Sequence, residues 1–228
     1  MRGRAIALLC LAWLGGCNAV VTKTPLFTAA DEAGAPALKP GVWLVFKQAD
    51  CNLDESKPID EWPDCAGGGV ARPGEVISHD AKTGAWRHDP MVLAGGDPRI
   101  AQVPVKASVS AQADASASGG ATASATASGG GETQVYGYAG VAPTSLDAEG
   151  RILALDWWPV QCGPPPPKNA KGDITAFGTL KPLPGMVMKP GEAVCSTASA
   201  SALRAAAKSS QAWAEAIGKA RGLRDGDR

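Results

Sequence analysis

RILALDWWPV, residues 151–160, is the clearest β-strand in the chain. It is short, apolar and aromatic, it lacks a helical period, and Asp147-Ala148-Glu149-Gly150 before it reads as a tight hairpin turn. Successive side chains of a strand point to opposite faces, so Trp157 and Trp158 diverge. One is expected in the core; the other covers a sheet edge or joins a binding surface. Across the turn, Gln134–Val141 (QVYGYAGV) reads as a partner strand. Arg99–Lys106 reads as another, with Pro104 marking a sheet edge. Between these two lies the low-complexity stretch 107–131, which has too little side-chain area to offset its ordering entropy. It is expected to be a disordered insertion between neighbouring strands.

Nearer the N-terminus, Gly41–Lys47 (GVWLVFK) is a second apolar strand after a Pro-Gly turn. Both of its faces are apolar, which places it inside a sheet. Gly74–Ser78 and Trp86–Leu93 read as short strands, with turns at Lys82-Thr83-Gly84 and Gly95-Gly96-Asp97-Pro98. Ile174–Leu180 and Gly185–Met188 follow the Pro164–Pro167 spacer. A C-terminal helix is expected over about 197–221. Ser196 or Thr197 caps it, and Leu203, Ala206, Ala207, Ser210, Trp213, Ala214 and Ile217 form one face. Gly222 ends it and 223–228 fray. The expected class is mainly β with a C-terminal helix (α+β): a small antiparallel sheet or barrel-like domain over 41–222.

The first residues are of another kind. Arg2 and Arg4 precede an apolar run, Ala5–Leu14, too short to span a bilayer as a helix. Then come small residues and a cysteine, Leu14-Gly15-Gly16-Cys17. This stretch resembles the lipobox of bacterial lipoproteins. The resemblance implies that residues 1–16 are a removed signal peptide. It also implies that Cys17 carries a diacylglycerol on its sulfur and an acyl chain such as palmitate on its new amine. Several acyl chains give firm membrane attachment. Asn18 at the next position implies the outer membrane, facing the periplasm. Residues 17–40, with Pro25, Pro36 and Pro40, then read as a flexible tether of roughly 25–30 Å, with docking of part of Val20–Phe27 on the domain as the alternative.

Outside the cytoplasm disulfides persist. Cys51, Cys65, Cys162 and Cys195 allow three pairings, of which Cys51–Cys65 and Cys162–Cys195 join nearest neighbours. No close C-x₂₋₄-C pair favours zinc. Two constellations could bind a metal. Asp50, Asn52, Asp54 and Glu61 fall at positions 1, 3, 5 and 12 of a calcium-loop spacing, although Glu55 replaces the turn glycine. His79-Asp80 and His88-Asp89 face each other across a hairpin and could form a metal or acid–base site.

The formal charge is zero and no basic stripe stands out, so nucleic acid is not an expected partner. No G-x-S-x-G or H-E-x-x-H pattern is present. The expected function is a membrane-anchored, non-catalytic binding or structural lipoprotein of the cell envelope, with an envelope protein as partner and no cofactor beyond its lipid. Two other readings stand beside it. Gly41-Val42-Trp43 resembles the G-x-W of lipocalins, which implies a small-ligand barrel. His79, Asp80, His88 and Asp89 would serve a metal-dependent hydrolase.

Overall fold

The computed structural model describes residues 18–80, 83–107, 133–164, 181–189, 194–213 and 218–226. Strands β1 (Ala19–Thr22), β2 (Gly41–Lys47), β3 (Ala66–Arg72), β4 (Glu75–Asp80), β5 (Ala85–Pro90) and β6 (Val92–Ala94) come first. Then follow β7 (Arg99–Ala107), β8 (Thr133–Leu146), β9 (Ile152–Pro159), β10 (Val187–Met188) and β11 (Val194–Ser196). Helix α1 (Ala200–Trp213) and β12 (Gly218–Arg224) complete the described fold. The class is mainly β with a C-terminal helix and a large, mostly antiparallel sheet, as the sequence predicts.

The pairing runs β2-β3-β4-β5 in one direction and β2-β12-β9-β8-β7-β6 in the other. Only Met91 separates β5 from β6, so the two ends of this path are one bent strand. The sheet thereby curls into a barrel-like ring of eight stations, counting β5–β6 as one. Register identifies its inside. Trp43 lies opposite Gly69 and Gly222, Ala220 opposite Leu155, and Val141 opposite Trp157. Trp43, Ala71, Leu93, Val141, Ile152, Leu155 and Ala220 form one buried cluster drawn from strands all round the ring. Such a cluster can only lie within it.

Two further clusters cover the outside. The segment joining β2 to β3 folds Cys51, Ile59 and Trp62 onto Val42, Leu44, Val70 and Ile77. The Cys51–Cys65 disulfide closes that segment. On the opposite flank, α1 packs Leu203, Ala206 and Ala207 against Ile100, Tyr138, Val160 and the Cys162–Cys195 disulfide. Both disulfides thus follow the nearest-neighbour pairing. Trp157 and Trp158 diverge as expected. Trp158 is fully buried under α1, where its indole donates to the Ala207 carbonyl at 2.8 Å. Each indole fills the space beside a glycine on the neighbouring strand: a Cβ on Gly218 would strike Trp157, and one on Gly140 would strike Trp158.

Three expectations are corrected. Residues 18–40 are not a tether. β1 pairs with β8 and, in parallel, with β11, and Phe27 is buried. A backbone that finds sheet partners and a core position for Phe27 gains more than the prolines around it take away. The helix is shorter than 197–221: α1 ends at Trp213, and residues 218–224 form β12 in the middle of the sheet. Glycine explains this, because Gly218 leaves room for Trp157 and Gly222 sits opposite Trp43. The fold consequently extends past 222: Leu223 and Arg224 belong to β12, and Asp225 pairs with Lys39 at 2.8 Å. Residues 108–131 of the insertion, Pro165–Pro167, the expected strand 174–180 and the helix residues Ala214 and Ile217 lie outside the described residues.

β2 begins where two backbone segments come close together. Gly41 has φ +133°, and a Cβ there would collide with the Arg224 carbonyl. Pro104 lies on β7 beyond the residues paired with β6, in a stretch joined to β8 alone, which is the edge position expected of it.

Candidate functional site

The segment that opens the described residues is held closely on the outside of the barrel. Cys17 itself lies outside the described residues. Asn18 is 1% exposed. Its side chain donates to the Gly163 carbonyl at 2.6 Å, and its own carbonyl accepts the Cys162 amide at 2.8 Å. Ala19 bridges to Gln161, whose amide and carbonyl both meet the Ser210 hydroxyl of α1. Val20 lies beside Cys195. β1 is therefore clamped between two segments that a disulfide joins. Downstream, the buried Gln102 amide binds the backbone of Leu26 and Phe27, and Arg99 donates to the carbonyls of Pro36 and Leu93.

The two histidines do lie on one hairpin, with His79 opposite Trp86 and His88 opposite Ile77. The period of two then separates the expected ligands. His79, Trp86, His88 and Ile77 share the outer face, whereas Asp80 and Asp89 share the inner one. His79 packs on Trp86 with ring centroids 5.0 Å apart. His88 Nδ1 meets Glu75 at 2.9 Å, and Arg87 pairs with Asp89. The four residues His79, Asp80, His88 and Asp89 do not converge on one point.

Asp50, Asn52, Asp54 and Glu61 lie on the outer, disulfide-closed segment. Asp54 is turned into its own loop, where the Ser56 hydroxyl and amide hydrogen-bond its carboxylate and hold its pKa below the ordinary value. Glu61 faces Lys57, and Glu55 binds Arg221 of β12. Among the described residues, no three His, Cys, Asp or Glu side chains come together as a metal site.

The structure adds a feature that sequence reading missed. An open cup of about 280 Å³ at one end of the barrel is lined by Lys39, Arg72, Arg151 and Asp225. Each cation has a carboxylate: Lys39 meets Asp225, Arg72 meets Glu75, and Arg151 meets Asp147 at 2.8 Å. Burial works against the Asp147 charge, but hydrogen bonds from the Arg151 backbone and side chain outweigh it and hold the pKa down. These residues come from well-separated segments, so no local motif announces the cup. No helix among the described residues is long and apolar enough to cross a membrane. Comparisons with family models, curated proteins and solved structures gave no match.

Proposed function

We propose that this chain is a lipid-anchored protein of the bacterial cell envelope, facing the periplasm from the outer membrane. Its barrel would act as a non-catalytic binding or structural module for an envelope partner. The observation that carries the reading is the filled barrel: Trp43, Leu93, Val141, Ile152 and Leu155 occupy its inside as one buried cluster. What such a domain offers a partner is its outer face and its rims. The lipobox supplies the address, and two disulfides suit an oxidising compartment. The test is a Cys17→Ser variant in cells. Loss of lipid labelling and release from the envelope fraction support the anchor, and unchanged retention rejects it. Crosslinking of the lipidated form against that control then tests for a partner.

A second reading, a small-ligand carrier, is favoured by one specific feature. Gly41-Val42-Trp43 opens a ring strand, and Trp43 stands inside the barrel, where its indole donates to Lys39. Titration with an apolar fluorophore separates the two readings. Stoichiometric binding that Trp43→Ala abolishes would favour the carrier.

A further inference from the structure

We infer that the barrel flank bearing β1 and α1 lies directly against an anionic lipid surface, with the Cys51–Cys65 segment pointing away from it. This rests on the lipoprotein reading and adds an orientation to it.

The first support is the length of chain between lipid and fold. Asn18 is buried and held by Gly163 and Cys162. One peptide unit, about 3.8 Å between Cα atoms, joins it to Cys17. A flexible tether of some 22 residues would instead have left roughly 25–30 Å. An acylated Cys17 sits at the headgroup level, so the surface around Asn18 must sit there too. Gln161 connects that point to α1, because it bridges Ala19 and holds Ser210. That contact lies on the buried side of α1 and sets the helix beside the anchor, and the proposed orientation turns the outer side of the helix to the membrane.

Charge gives an independent second support. Segments 18–27 and 181–213 carry Lys23, Lys181, Lys189, Arg204 and Lys208 against a single carboxylate in sequence, Glu192. Arg204 is committed elsewhere: it lies over the Phe27 ring and donates to the Gly95 carbonyl near Asp31. Lys23, Lys181 and Lys208, all exposed, form a basic edge beside the anchor. The exposed side of α1 is otherwise small and uncharged, with Ser201, Ala205, Gln211 and Ala212, which permits close approach. Val187 adjoins it, 59% exposed. Four stations round the ring from β8, the outer segment 50–65 carries Asp50, Asp54, Glu55, Asp60, Glu61 and Asp64. Lys57, Arg221 and Arg224 neutralise only part of that charge. An anionic bilayer attracts the lysine edge and repels the acidic loop, and both forces favour the orientation that the short anchor imposes.

The experiment uses the full-length lipidated protein in vesicles of phosphatidylethanolamine and phosphatidylglycerol. Single cysteines are placed at exposed sites, Ala205→Cys on α1 and Asp60→Cys on the acidic segment, and labelled from outside with a bulky, membrane-impermeant maleimide. The four native cysteines are occupied in disulfides. Ala205→Cys should label about tenfold more slowly than Asp60→Cys on vesicles, because the headgroup layer shields it. The rates should become equal in the soluble Cys17→Ser background. A long Gly/Ser insert between Cys17 and Asn18 should raise the slow rate. Mass analysis of the N-terminal peptide reports the lipid separately. A lipidated Cys17 with equal rates on vesicles overturns the orientation alone. An unmodified Cys17 overturns the lipoprotein reading and the orientation with it.

Discussion

Gln102 is 3% exposed, and its whole amide is used to hold the N-terminal segment on the barrel. Its carbonyl oxygen accepts from the amides of Leu26 and Phe27 at 2.8 and 2.9 Å, and its nitrogen donates to the Phe27 carbonyl. Gln102→Leu keeps the bulk and leaves these backbone groups unpaired. It should cost about 2–4 kcal/mol, seen as a lower urea midpoint at unchanged slope. Tyr138 makes a second prediction. Burial is the main cause that raises its pKa, and hydrogen bonds to Thr22 and Leu26 oppose it only in part. Above pH of about 10 the unfolded chain releases this proton while the folded chain retains it, so stability falls as pH rises. At neutral pH both states keep the proton and nothing is lost. Equilibrium unfolding measured from pH 7 upward should show the alkaline decline, and Tyr138→Phe should flatten it. Tyr138→Phe should also lower stability at pH 7 by about 1 kcal/mol, because it removes the 2.5 Å contact with Thr22.

Among the elements, the Cys162–Cys195 disulfide has the widest reach, closing a sequence separation of 33 residues beside β1 and α1. Replacing both cysteines with alanine should lower stability by about 3–4 kcal/mol on the chain-entropy account. Calorimetry would measure it, and the Cys51–Cys65 pair, with its separation of 14, should lose less. The same scale shows what was legible in the sequence. β2 and β9 announce themselves, because β-branched and aromatic residues on both faces leave few other homes. β3, AGGGVAR, does not. Its glycines look like a turn until Phe46 and Trp62 are seen lying where Cβ atoms at Gly67 and Gly68 would be. β12, GKARGLR, hides for a related reason: Gly218 lies under Trp157, and its cations reach outward to Glu55 and Asp156. The sequence places His79 and His88 on one hairpin correctly. It could not reveal a common site, because adjacent His-Asp pairs in a strand necessarily point their members to opposite faces. Docking of Val20–Phe27 could be read as an alternative to a tether, but the pairing of β1 could not, because its partners, Tyr136 and Cys195, lie more than a hundred residues away.

At the scale of the whole molecule, the ring is closed by β12, which pairs β9 on one side and β2 on the other. Deleting residues 218–228 should remove the cooperative thermal transition altogether, since two strands lose a neighbour and the inner cluster loses Ala220. Circular dichroism during heating would test this, with retention of a sharp transition counting against a closed ring. The same arrangement sets a timetable for biogenesis. GVWLVFK emerges about 170 residues before its β12 neighbour. At typical rates of synthesis that interval is roughly 10–30 s. Throughout it one apolar strand edge stays unpaired, and such edges template association with other chains. A nascent chain of this design must be shielded until its last strand arrives, so its vulnerability lies in the time before completion.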